Sequence, residues 1–254
     1  MMQIERITSG KNQLISHIRK LQGSRSYRES CGEFVADGFK LLDEALRWYP
    51  KLKTVILTEG APHPPLPEHI RCVEIPASLM ESLSSMKSPQ GVIFTGSLPA
   101  NTCPVLHRGM LLLDRIQDPG NLGTILRTAD AMDVPVLLTN GCADPFSEKT
   151  IRASMGAVFR TEVQSIAMEE LLRQCEELNL PLAATALTDA ASDLRTVDLR
   201  DYITVIGSEG QGICKELLQA SKQQIIIPMQ ARCESLNAAV AATIVLWELR
   251  NRYK

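Results

Sequence analysis

The sequence predicts an α/β protein with two parts: a small α/β unit, then a larger one built on a parallel sheet with helices on both faces. Three observations lead there. Short Val/Ile/Leu runs alternate with helix-period stretches along the whole chain, the pattern of βα units. In the second half those runs are apolar on both faces, as strands buried on both sides of a parallel sheet must be. Between the halves, "SLPANTCPVLHRG" carries two prolines and little periodicity, which marks a boundary. The expected domains are 1–97 and 106–254.

Taken in order, "NQLISHIRKLQ" places Leu14, Ile15, Ile18 and Leu21 at helical spacing, with Lys and Arg on the other side. "GEFVADGFKLLDEALRWY" reads as a strand at 34–36 and an amphipathic helix from about Gly38. "TVILTEG" and "CVEIP" read as strands, "ASLMESLSSM" as a helix and "GVIFTG" as a closing strand. After the boundary the pattern restarts with "GMLLLDRI", a helix over 121–132 and the strand "VPVLLTN". Helices follow near "FSEKTIRASMGAV" and at "AMEELLRQCEELN", then the strands "PLAATAL" and "YITVIGSEG". "ICKELLQAS" is a helix, "QIIIP" a strand, and an alanine-rich helix closes the chain.

Composition excludes several classes. At 254 residues, 44% hydrophobic and 22% charged, the chain reads as ordinary globular protein. No apolar run approaches the roughly 20 residues that a membrane helix needs, and "MMQIERITSG" lacks the plan of a signal peptide, so a cytoplasmic location is expected. The seven cysteines form no CxxC pair, which points to free thiols in a reducing compartment. His63, His69 and Cys72 lie close together, but in the proline-rich "APHPPLPEHIRC"; an exposed loop is expected there, and no metal. The net charge of −2 argues against indiscriminate binding to nucleic acid. It hides a basic start, however: Arg6, Lys11, Arg19, Lys20, Arg25 and Arg28 face only Glu5 and Glu29 within residues 1–30. Such a cluster can grip phosphates or simply form a solvated helix face.

Three segments follow strands of the second half, where parallel sheets bind ligands. In "LLLDRIQDPGNLGTILRTADAM", Asp114, Gln117, Asp118, Pro119 and Gly120 make a polar turn, Asn121 is placed to cap the next helix, and Arg127 is either solvated or turned to a phosphate. In "VIGSEGQGI", three glycines let backbone approach a ligand, and Glu209 has no packing reason to stand among them. Their order is not the GxGxxG of dinucleotide-binding folds, which weakens a nicotinamide-dependent dehydrogenase. In "IIIPMQARCESLNAAVAA", Ser235 stands where an N-cap is expected, at a helix start whose free N–H groups favour an anion.

Together these segments resemble the SpoU (TrmH-like) branch of the SPOUT RNA methyltransferases. The matches are "DPGNLGTILRTADA", "IGSEGQGI" and "IPMQARCESLNAAVAA", in that order, with "KTIRASMGAVFR" between the first two. The N-terminal unit, with "SPQGVIFTG" as its closing segment, is similar to that family's substrate-binding domain. The resemblance implies 2′-O-methylation of a ribose in RNA with S-adenosylmethionine as donor, in a parallel α/β domain carrying a deep trefoil knot. It implies that Gly207, Ile227 and Leu236 hold the cofactor. It also implies that Asn121, Arg127, Glu209, Ser235 and Asn237 form the polar active site, and that Arg152, less firmly matched, binds RNA with Arg19, Lys20, Arg25 and Arg28. A homodimer is implied, to which the alanines of the last helix are suited, as they are to packing within one chain. The chemistry requires neither a metal nor a nucleophilic cysteine, because the ribose oxygen itself attacks. The distinct N-terminal unit with its basic start favours ribosomal RNA over tRNA. A noncatalytic RNA-binding protein that keeps the fold is the other alternative, and the presence of all five polar residues argues against it.

Overall fold

Most apolar runs of the sequence become strands. The computed structural model describes residues 4–100, 102–188, 190–230 and 232–251. Contacts group the chain into two compact units: Met1–Ala100 with Phe146–Arg160, and Asn101–Pro145 with Thr161–Lys254.

The first unit holds a five-stranded sheet of β1 (Ile4–Arg6), β2 (Glu33–Asp37), β3 (Leu52–Thr58), β4 (Arg71–Ile75) and β5 (Val92–Ser97) in the order β1-β4-β3-β5-β2. β1, β4 and β3 run parallel, whereas β5 is antiparallel to both β3 and β2. Four helices accompany it: α1 (Gln13–Gly23), α2 (Arg25–Cys31), α3 (Phe39–Trp48) and α4 (Ala77–Leu83). The side chain of Asn12 caps α1 by accepting from the Leu14 N–H. The apolar stripe then buries Ile15, Ile18 and Leu21 against Val35, Ile56, Val73 and Ile93 of the sheet and Met80 of α4. β1 and α2 escape the sequence reading: β1 is a three-residue, exposed edge strand, and α2 is the polar "RSYRESC", started by Ser24 capping the Tyr27 N–H.

The basic start proves less available than its charge implies. Arg28, which the resemblance assigned to RNA, is buried, and its guanidinium donates to the Leu21 carbonyl at 2.5 Å. A buried cation needs a local acceptor, and Arg28 has one in α1. Arg25 pairs with Glu29 one turn on, Arg19 donates to the Gly10 carbonyl, and Lys20 stands 5.5 Å from the centre of the Tyr27 ring.

The chain continues through β6 (Leu111–Asp114), α5 (Pro119–Met132) and β7 (Val136–Thr139) of the second unit, then returns to the first with α6 (Glu148–Ala153). This return completes an aromatic cluster. Phe34 lies 5.3 Å from Phe146, 5.8 Å from Phe159 and 5.6 Å from Tyr49 between ring centres. Gly96 makes room for it, since an added Cβ would sit 2.8 Å from the Phe34 ring. Burial pushes the Tyr49 hydroxyl up to about 12, and that hydroxyl donates to the Ser97 carbonyl at 2.7 Å.

The remaining elements are β8 (Val163–Ile166), α7 (Met168–Glu177), β9 (Leu182–Thr185), β10 (Ser192–Asp193), β11 (Ile203–Gly207), α8 (Lys215–Ala220), β12 (Ser221–Ile226) and α9 (Ala238–Asn251). The second sheet has the order β10-β12-β9-β11-β6-β7-β8 and is parallel at every pairing. One face buries Leu112, Leu137, Ala184 and Val205 with Leu171 of α7 and Leu217 of α8. Leu111, Leu113, Leu138 and Ile206 on the other face are equally buried, and α9 packs against β11 and α5. Ala238, Ala239 and Ala242 of α9 are buried within this unit, so the alanines serve packing inside the chain, while Val240 and Trp247 are exposed. Among the described residues no helix is long and apolar enough to cross a membrane.

Glu148 on α6 has its pKa raised chiefly by burial, against Gln22 and Arg152, which lower it. A carboxyl whose folded pKa is raised destabilises the fold while ionised, and that penalty lifts as the pH falls through the raised value. The stability gap between Glu148→Gln and wild type, with Gln ahead at neutral pH, should therefore narrow as urea titrations are moved to acid pH. A gap that stays constant with pH would contradict this.

Candidate active site

Parallel pairing brings the carboxyl ends of β9, β11 and β12 to the same edge of the sheet. The chain beyond those ends, together with the start of α9, encloses a cavity of about 380 Å³, within the usual range for small-molecule sites. Its walls include Ile206 and Gly207 at the end of β11, Ile225 to Ile227 at the end of β12, and Leu236 and Ala238 before and within α9. Gly207, Ile227 and Leu236, the three expected cofactor contacts, all line it. Among the polar residues, Glu209 and Ser235 line it as well.

The turn after β11 is tight. Ser208 and Gly212 exchange backbone hydrogen bonds of 3.2 and 2.9 Å, which leaves Glu209 to Gln211 at the tip. Gly207 permits this: an added Cβ would lie 2.3 Å from the Gly212 carbonyl carbon and 2.4 Å from the Ile213 nitrogen. That glycine is required by backbone approach as well as by any ligand.

Glu209, Asn121 and Asn237 are joined in one chain of hydrogen bonds. The Asn121 amide nitrogen donates to Glu209, and its oxygen accepts from the Asn237 amide nitrogen at 3.0 Å. The Asn237 oxygen accepts in turn from the Ala239 and Val240 N–H groups at 2.9 and 3.3 Å. Both amides are thereby oriented, and the donor end of α9 is relayed toward the carboxylate of Glu209.

Two caps differ from the sequence reading. Asn121 is inside α5, whose N-cap is Asp118, accepting from the Asn121 N–H at 2.7 Å with Pro119 in the first turn. Pro suits that position because it lacks the N–H that would go unused there. Ser235 is in irregular chain before α9, and Asn237 makes the cap bonds. Both predicted caps compete with a nearby Asp or Asn that caps better.

Arg127 is exposed on α5, about 9 Å along the helix from Asn121 at 1.5 Å per residue. Its guanidinium makes no hydrogen bond or ion pair with the described residues. Arg152 is in the first unit, where it donates to the Ser85 hydroxyl at 2.5 Å. The sequence reading missed Thr185 at the end of β9 and the segment Ala186 to Thr188 after it, which also line the cavity; their only signal was their place at a strand's carboxyl end. Burial pushes the thiols of Cys142 and Cys214 up, which favours the protonated form.

Residues 109–247 match the SpoU rRNA Methylase family, and residues 12–93 match an MRM3-like substrate binding domain. The chain belongs to the SpoU rRNA Methylase family. It is 29% identical, over 97% of its length and 100% of the relative's, to the 23S rRNA (guanosine(2553)-2′-O)-methyltransferase RlmP of Bacillus subtilis. An AdoMet-bound rRNA methyltransferase from Sinorhizobium meliloti superposes with a TM-score of 0.86 at 29% identity, covering 99% of both chains. A putative RNA methyltransferase of the TrmH family from Porphyromonas gingivalis gives 0.81 at 33% identity, with 93% of this chain and 96% of that one covered.

The cavity fits the cofactor of this SpoU family member. Ile206, Ile225, Ile227 and Leu236 offer apolar walls to a planar base, and the strand ends offer backbone N–H and carbonyl groups to its edges. Gly207→Ala should lower stability by about 1–3 kcal/mol through overpacking and abolish the heat of S-adenosylmethionine binding in calorimetry. Wild-type binding by the variant would contradict the fit.

Proposed function

We infer that this chain transfers a methyl group from S-adenosylmethionine to the 2′-oxygen of a ribose in ribosomal RNA. The observation that carries the reading is the hydrogen-bonded chain Glu209–Asn121–Asn237 beside the cavity, because it draws the three family motifs into one polar site. When bound, S-adenosylmethionine supplies a methyl group on a positively charged sulfur, already activated for displacement. The protein's task is then to hold the ribose oxygen in line and to assist loss of its proton. Gly207, Ile227 and Leu236 hold the cofactor. Arg127, with no partner in its own chain among the described residues, and Ser235 grip the phosphate beside the target nucleotide and stabilise negative charge developing on the ribose oxygen. Arg127 is given this electrostatic role and not that of the base, since a guanidinium is too costly to deprotonate.

The first unit presents the RNA. Arg19, Lys20 and Arg25 are its candidate contacts, and Arg152 is a further one; all four already have an acceptor or ring neighbour, so phosphate must compete for them. The exposed Val240 and Trp247 of α9 support a homodimer. The long C-terminal stretch that follows β12 is proposed to thread as the trefoil knot of the SPOUT class, and the protein is assigned to the cytoplasm.

Purified protein with methyl-labelled S-adenosylmethionine should label ribosomal RNA. Label in tRNA instead would move the substrate, and label in neither, with bound cofactor, would leave an RNA-binding protein. Arg127→Lys keeps the charge and loses the planar fork; kcat should fall about 10²-fold or more without displacement of the pH–rate profile. Near-normal activity in this variant would remove the guanidinium from any essential role.

A further inference from the structure

Glu209 and the cavity wall at Gln211 to Ile213 are carried by a turn of exposed, glycine-rich chain. Such a turn is mobile unless something outside it fixes it. Asp114, the last residue of β6, is fully buried, and both carboxylate oxygens are occupied. Oδ1 accepts from the Thr139 hydroxyl at 3.0 Å and from Arg115 Nε at 3.3 Å. Oδ2 accepts from the Cys214 N–H at 2.8 Å and from Arg115 Nη2 at 3.3 Å. One carboxylate therefore ties the ends of β6 and β7 to the far end of the turn after β11.

Arg115 extends the tie. Its φ of +55° is in the left-handed region, which side chains other than glycine, asparagine and aspartate rarely adopt. The Arg115 N–H donates to the Thr139 hydroxyl, and its side chain crosses Gly141, where an added Cβ would meet Cγ at 3.2 Å. This conformation carries the guanidinium across to the turn, where Nη1 donates to Gln211 Oε1 at 3.0 Å and Nη2 lies 3.5 Å from the Gly212 carbonyl. Nothing in the packing of β6 calls for an arginine in that conformation; the partners it reaches account for it.

We propose that Asp114 and Arg115 are positioning residues for methyl transfer. They form a brace that fixes the Ser208–Cys214 turn, and so sets the cavity wall and the place of Glu209. This rests on the methyltransferase reading, because the turn matters to catalysis only if the cavity holds the cofactor. The brace acts through the turn and touches no reacting atom.

Arg115→Gly removes the brace while keeping the left-handed backbone, which glycine adopts without strain. The variant should fold with a Tm below that of wild type, because the buried Asp114 carboxylate loses its guanidinium partner, weaken S-adenosylmethionine binding about tenfold and lower kcat by up to about 10²-fold. Amide hydrogen exchange should quicken at Gln211 to Cys214 and stay unchanged at Leu111 to Leu113. Gln211→Ala should add little in the Arg115→Gly background while costing activity alone, the signature of a shared interaction. Asp114→Asn should show the same loss of affinity with a lower Tm, since the half-buried Cys214 N–H loses a charged acceptor. Wild-type affinity and exchange in Arg115→Gly would overturn the brace. Wild-type protein that takes up no S-adenosylmethionine would instead overturn the functional reading, and exchange alone would then decide whether the turn is braced.

Discussion

The site depends on one constraint, that every strand pairing in the second sheet is parallel. A parallel strand must be followed by a crossover, so each carboxyl end releases a loop at the same edge. Residues far apart in sequence then meet without any long loop. Asn121 reaches Glu209 across 88 positions and Asn237 across 116. An antiparallel sheet would send alternate loops to opposite edges and scatter the same residues.

What meets at that edge is ordered by hydrogen-bond polarity. An amide side chain offers donors on one side and an acceptor on the other, so fixing one end fixes the other. The N–H groups that open α9 orient Asn237, Asn237 orients Asn121, and Asn121 presents donors to Glu209. Asp would break this sequence at either amide position, because it has no donor to pass on. The two asparagines are thus chemically specific where a capping role alone would accept several residues.

Much of the fold was legible because each long strand is an apolar run and each long helix has a periodic face. β1, β8 and β10 were not, being two to four residues long and partly or wholly exposed at their positions in the sheets. The candidate site was read from family resemblance, while its local geometry was not legible. Near α5 the chain offers Asp118 and Asn121 as caps, and near α9 it offers Ser235 and Asn237. Local sequence does not rank such pairs; contacts from distant strands do. The same blindness hid Arg28, since a count of charges carries no information about burial.

The segment Phe146–Arg160 has a consequence for how the protein is made. Its ends join strands of one sheet, yet its aromatic residues complete the core of the other unit. A ribosome that has produced the first hundred residues has not yet supplied Phe146 or Phe159, so Phe34 and Tyr49 wait with an open flank. The N-terminal unit is therefore first in sequence and not first to be finished. Cutting the gene at the proline-rich boundary would yield one fragment missing part of its core and another carrying a hydrophobic segment without its seat.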